Sequence, residues 1–191
     1  METIQTIDVE IEGKSPLLMN KFNIEALKSK TIAGSNKEDA YGTPEEQAEK
    51  TAYWMSNKKE LCIPSEVLMG ALLNASKMYK VKGKSVTSSL AGTVKVEPFE
   101  IPLGTNKYEV DARGVVISSG MKRSRVIRCR AKVSSWKAKF QIIYDKRFIS
   151  DPEILKAILE DAGQRIGIMD FSPRHRGSFG CFLVKQWKIA K

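Results

Sequence analysis

The sequence predicts an α+β chain of ferredoxin-like, RRM-like architecture, with an antiparallel sheet, two helices on one face, and insertions at about 20–60 and 104–127. Three observations predict it. The elements run strand, helix, strands, helix, strand. Two segments carry strong helix-start chemistry. The segments between them alternate apolar and polar residues with a period of two. The 191 residues, 42% of them hydrophobic, suffice for one core, so residues 1–191 read as a single domain.

Ile4 to Ile11 alternates, and its Ile7-Val9-Ile11 face reads as a half-buried strand ended by Gly13. Ser15-Pro16-Leu17-Leu18-Met19 follows as a short apolar elbow. The first half of the stretch from Asn20 to Asn57 reads as a long loop. Thr43-Pro44-Glu45-Glu46 then starts a helix running to about Met55, with a threonine cap, proline in the first turn and acids on the positive end of the dipole. Pro64-Ser65-Glu66 opens a second helix. Its apolar stripe is Val67, Leu68, Ala71, Leu72, Ala75, Met78 and Tyr79, and Gly70 is expected near its buried side.

Thr93 to Leu103 reads as an edge or irregular strand because Pro98 and Pro102 interrupt it. Tyr108 to Ser118 reads as one arm of a hairpin. From Val126 to Val133, Ile127, Cys129, Ala131 and Val133 face one way and Arg128, Arg130 and Lys132 the other. From Trp136 to Tyr144, Trp136, Ala138, Phe140, Ile142 and Tyr144 oppose Lys137, Lys139, Gln141 and Ile143. Only Ser134-Ser135 separates these two strands, so they are expected to form a hairpin with one basic face. Asp151-Pro152-Glu153 starts the last helix and Gly167 ends it. A loop bearing Gly and Arg, Phe171 to Gly180, precedes the last strand, which holds Phe182, Val184 and Gln186.

The charge is unevenly placed. The formal net charge is +10, yet Ala112 to Tyr144 holds nine basic residues and no acid: Arg113, Lys122, Arg123, Arg125, Arg128, Arg130, Lys132, Lys137 and Lys139. The rest of the chain is close to neutral. Such a stripe is the footprint expected of a protein that binds phosphate backbones. Lys122-Arg123-Ser124-Arg125 follows Ser118-Ser119-Gly120 and is expected to be a mobile basic loop. Gly177 and Gly180 would let backbone approach phosphates, with Arg174, His175 and Arg176 alongside. Lys14 and Lys21 flank the elbow. Phe171 is the better candidate for base stacking, whereas Trp136 belongs on a core face.

Composition also excludes chemistry. Cys62, Cys129 and Cys181 are widely spaced, with no CxxC or CxxH pair, so they read as reduced thiols rather than metal ligands. One histidine, His175, rules out catalysis by a histidine pair. The paired acids Glu45-Glu46 and Glu160-Asp161 converge on nothing. No catalytic residues, metal or cofactor are therefore expected. No apolar run approaches about 18 residues, so no membrane-spanning helix is expected. Met1 to Glu12 is polar and alternating, without a signal-peptide pattern, and a cytoplasmic protein is the expectation.

Three segments resemble the RAMP superfamily, the backbone subunits of CRISPR effector complexes. The first is the leading strand and elbow, Ile7-Asp8-Val9-Glu10-Ile11-Glu12-Gly13-Lys14-Ser15-Pro16-Leu17-Leu18. The second, Ile63-Pro64-Ser65-Glu66-Val67-Leu68-Met69-Gly70-Ala71-Leu72, is similar to the family's Ile-Pro-x-Ser-x-Leu-x-Gly-Ala-Leu helix start. The third, Arg174-His175-Arg176-Gly177-Ser178-Phe179-Gly180-Cys181-Phe182, is similar to its C-terminal Gly-Phe-Gly-Arg-Phe loop, with Cys181 where a basic residue is common.

The resemblance implies a ferredoxin-like palm with insertions as finger and thumb, self-association into a filament or ring, and polymerisation along a guide RNA. It extends to small stand-alone relatives carried by phages. Some relatives cut target RNA with an Asp after the first strand. Lys14 to Phe22 holds Asn20 and no acid, and Asp39 lies further along the insertion. The leading expectation is a non-catalytic protein binding single-stranded nucleic acid, RNA favoured over DNA. The alternatives are a phage single-stranded DNA-binding or annealing protein, a metal-dependent RNase of the same fold, and a scaffold whose basic face docks an acidic protein.

Overall fold

The computed structural model describes residues 3–22, 42–57, 59–81, 83–119 and 122–190. The central element is an antiparallel four-stranded sheet in the order β11-β1-β10-β6, formed by β1 (Ile4–Gly13), β6 (Val94–Glu97), β10 (Lys137–Asp145) and β11 (Phe182–Ile189). First and last strands are neighbours, and the third lies between first and second. That is the ferredoxin-like order, and it agrees with the expected fold class.

Register follows the alternation. Ile7, Val9 and Ile11 of β1 stand opposite Ile142, Phe140 and Ala138 of β10, and all six are buried. Helices α2 (Ser65–Ser76) and α4 (Pro152–Asp161) cover this face through Leu68, Leu72, Leu155, Ile158 and Leu159. Asp151 caps α4 by accepting the Glu153 N–H at 3.0 Å. A π-type turn, Ala162–Ile166, extends α4, and Gly167 then ends it at φ 67°. A Cβ at Gly163 in that turn would lie 2.4 Å from the Phe182 carbonyl oxygen, so the turn seats directly on β11.

A second sheet has the order β2-β9-β8, from β2 (Leu17–Leu18), β8 (Glu109–Ser119) and β9 (Lys122–Val133). The expected hairpin across Ser134-Ser135 is therefore absent. β9 pairs with β8 and β2, whereas β10 pairs with β1 and β6. Residues 134–136 carry the chain from one sheet to the other. The reason is Trp136. It is 2% exposed, its indole N–H donates to the Ser15 carbonyl at 2.9 Å, and its backbone carbonyl accepts the Gly13 N–H. A buried anchor of this size makes the chain turn between layers rather than reverse in plane.

Helix α1 (Pro44–Thr51) closes one edge of β9. Its Gln47 and Thr51 side chains accept the N–H groups of Cys129 and Ala131. The helix carries the expected capping box between Thr43 and Glu46 but stops at Thr51, short of Met55, because Trp54 bridges to Leu61. The small elements β3 (Cys62–Pro64), β4 (Lys80–Val81), β5 (Lys84–Ser85), α3 (Thr87–Thr93) and β7 (Glu100–Pro102) fill the rest, β3 pairing β7 and β4 pairing β5. A Cβ at Gly70 would meet nothing within 4 Å, so no close neighbour demands the glycine expected at a tight buried spot. The loop expected before α1 falls at 23–41, with Asp39, outside the described residues. Among the described residues no helix is long and apolar enough to cross a membrane.

Two outcomes follow. Trp136→Ala removes a large buried ring and its hydrogen bond, and should cost about 3–5 kcal/mol in urea unfolding. All three cysteines are free, Cys62 and Cys129 are buried, and burial pushes the Cys62 thiol up to about 11. Iodoacetamide at neutral pH should therefore add one label to the native protein, at Cys181, and three after denaturation.

Candidate nucleic-acid interface

The β8–β9 hairpin projects as an arm whose pairing runs from Glu109↔Lys132 to Ser119↔Lys122. Beyond Asp111 neither strand holds an acid. Ala112, Gly114, Val116, Arg125 and Ile127 are exposed, Val116 and Ile127 at 59% and 70%. Ile127 was expected to share the buried face of Cys129, Ala131 and Val133. Ala131 and Val133 join the main core, and Ile127 lies beyond it. Lys122 to Arg125, expected as a mobile loop, are strand residues opposite Val116 to Ser119. The side chains of Lys122 and Arg123 lie outside the described residues, and Arg128 is half-buried across from Arg113.

At its root the arm is fastened to the Phe171–Gly180 loop. Arg130 is 8% exposed and its Nε lies 2.8 Å from Asp170 Oδ2. The same carboxylate accepts the Asn20 amide at 3.1 Å and the Phe171 N–H at 3.0 Å. The Arg130 guanidinium stands over the Phe171 ring at 5.3 Å, and that of Arg113 over Phe171 at 5.5 Å and Phe179 at 4.5 Å. Arg113 also pairs with Asp111, holding that carboxyl below its usual range. Such cation–ring contacts contribute about 0.5–2 kcal/mol each.

Arg130 is thus a fastening rather than a charge offered to solvent, contrary to the sequence expectation. Phe171 meets arginines of its own chain where a base was expected to stack. The fastening roles of Arg113 and Asp170 are not legible in the sequence. Arg113 stands within the acid-free stretch, but nothing in the sequence points Asp170 at Arg130, forty residues away.

The loop itself is tightly folded. Met169, Phe171 and Arg176 have φ of 61°, 48° and 62°, the left-handed region that non-glycine residues seldom enter. Hydrogen bonds from Asp170 N–H to the Leu18 carbonyl and from Phe179 N–H to the Phe171 carbonyl hold them there. A Cβ at Gly177 would sit 1.8 Å from the Phe171 carbonyl oxygen, and one at Gly180 1.9 Å from that of Ile168. These glycines admit the loop's own backbone, which replaces the expected role of admitting phosphate. The tight fold presents Arg174, His175 and Arg176 outward, all exposed. Lys14, whose N–H bonds the Cys181 carbonyl, and Lys21, whose N–H bonds the Thr51 carbonyl, are exposed at the same end. Arg125, Arg174, Arg176 and Lys14 have no carboxylate partner among the described residues, and Lys21 faces Glu100.

The remaining predicted cations are neutralised. Lys132 pairs with Glu109 at 2.6 Å, Lys137 with Glu12 at 3.1 Å and Lys139 with Glu10 at 3.3 Å, while Lys185 also reaches Glu12. Bonds from Lys137 and Lys185 hold the Glu12 carboxyl below its ordinary range. The open face of the main sheet is therefore a lattice of alternating charge. The basic platform expected from two adjacent strands does not exist, because β9 and β10 lie in different sheets.

No family model matches the chain, and no curated protein matches its sequence. Among solved structures, a chain in the type III-B Cmr-beta complex bound to cognate target RNA aligns over 99% of this chain at a TM-score of 0.56 and 12% identity. This chain spans 61% of that one's length. Cmr6 from Pyrococcus furiosus aligns over 96% of this chain and 99% of its own, at a TM-score of 0.46 and 9% identity. The first alignment establishes a shared fold, the one that the motif resemblance implies.

Arg130→Ala strands Asp170 and loosens the arm root. It should cost about 3 kcal/mol in chemical denaturation, the low end for breaking a largely buried pair. Arg174→Ala and Arg176→Ala should each change stability by less than about 0.5 kcal/mol.

Proposed function

We propose that the chain is a RAMP-type protein that binds single-stranded nucleic acid, RNA favoured over DNA, along a path formed by the β8–β9 arm and the Phe171–Gly180 loop. One observation carries this reading. The Arg113–Phe171–Arg130 junction fixes a basic arm beside a basic loop, and Arg125, Arg174, Arg176 and Lys14, cations on these parts and their flanks, have no carboxylate partner among the described residues. Guanidinium and ammonium groups on such parts contact phosphates without reading bases. Exposed Val116 and Ile127 between the arm's cations suit the apolar faces of unpaired bases.

The shared fold with a chain of an RNA-bound complex supports RNA as the ligand, and assembly of copies along a guide RNA is part of the proposal. Binding without cleavage is favoured over the RNase reading by Asp170. It is the acid that the fold sets beside Asn20, and it is taken up by Arg130, Asn20 and the Phe171 N–H.

Affinity for a uridine oligonucleotide should fall steeply with salt, and a flat response would remove the proposal. Arg174→Ala combined with Arg176→Ala should weaken binding for all sequences alike and reduce the log–log salt slope by about 0.7 for each phosphate no longer neutralised. Competition between RNA and DNA of equal length decides the ligand. Labelled RNA incubated with magnesium should stay intact.

A further inference from the structure

The opposite end of the main sheet carries a second feature. β10 runs nine residues from Lys137 to Asp145, so its ends lie roughly 26 Å apart at about 3.3 Å per residue. Beyond Asp145, a groove of about 240 Å³ opens between the β4–β5 hairpin, α3 and the turn into α4. It exceeds the roughly 150 Å³ that holds a benzene ring in an engineered cavity. Val86 and Ile149, both buried, form its floor, and Val81 and Phe148, exposed at 38% and 59%, form its lips. Ile154 and several serines complete the wall.

Cations outnumber acids around it. Lys84 lines the groove, Lys80 sits on the paired strand, and Lys146 and Arg147 lead into Phe148. Lys80, Lys84 and Lys146 have no carboxylate partner among the described residues. The acids nearest in the chain are Asp145, which holds Arg147 at 2.6 Å, Asp151, which accepts the Glu153 N–H, and Glu153, which reaches Lys156 at 3.8 Å. This is an apolar slot with a basic rim, remote from the arm and loop.

We propose that this groove docks an acidic segment of a partner protein, with one apolar side chain seated on Val86, Phe148 and Ile149 and flanking Asp or Glu residues meeting Lys80, Lys84 and Lys146. The walls favour a peptide over a nucleic acid. They are concave and carry four aliphatic side chains and a phenyl ring, and the Arg147 guanidinium already stands over the Phe148 ring at 5.7 Å. A second copy of a chain carrying +10 is repelled from a basic rim. The proposal does not depend on nucleic-acid binding at the other end.

The test is selection of displayed random dodecamer peptides on the full chain, with counter-selection on Phe148→Ser, an exposed position whose change leaves the core intact. The expected consensus is one Leu, Ile or Phe flanked by Asp or Glu. A selected peptide, labelled for fluorescence anisotropy, should bind at least about tenfold more weakly to Lys84→Glu and to Phe148→Ser. Arg174→Ala should leave that binding unchanged. No consensus, or a basic or uncharged one, overturns the proposal. So does displacement of the peptide by a uridine oligonucleotide, which would assign the groove to nucleic acid. Self-association of the wild type that Phe148→Ser abolishes would assign it to a second copy and likewise overturn the proposal.

Discussion

The ion pair of Arg130 with Asp170 fastens the second sheet to the C-terminal loop. The ferredoxin-like sheet and its helices would stand without it. The second sheet meets the C-terminal loop through that pair, the rings beside it and the hydrogen bond from the Asp170 N–H to the Leu18 carbonyl. Around it the structure accumulates what an isolated loop does not sustain: left-handed backbone at three non-glycine residues, two glycines pressed against carbonyl oxygens, and two guanidinium groups over one ring. A largely desolvated pair is costly unless its hydrogen bonds are met; here the carboxylate meets three donors, while Arg130 Nη1 is buried without a hydrogen-bond partner.

Much of the fold is legible in the sequence because it rests on local signals. The period-two faces of β1 and β10, the Asp151 cap and the Gly167 stop each declare an element from a few neighbouring residues. Legibility ends where partners are distant in sequence. An unbroken basic run looks unbalanced along the chain, yet its strands lie beside the acids of others. Glu10 and Glu12 reach Lys139 and Lys137 only because β1 pairs with β10. Alternation places a side chain on a face but does not say whether anything covers that face, so Ile127 and Ala131, four residues apart on one strand, end on opposite sides of the burial boundary.

The same distinction governs the candidate site. Residue type singles out Arg130 and Phe171, and position in the fold gives them a different task. Arg174, His175 and Arg176 keep the exposure expected of them because the loop folds on its own backbone and turns them outward. The glycines and the arginines of one short motif thus divide the labour between shape and charge.

The passage from β9 to β10 has a mechanical meaning. The arm is a lever of about a dozen residues, and residues 134–136 are its fulcrum. That span leaves almost no slack, and Trp136 within it is wedged against Gly13 and bonded to Ser15. A load on the tip is therefore delivered as torque at the middle of the main sheet, to β1 and β10 together, rather than absorbed by a compliant joint.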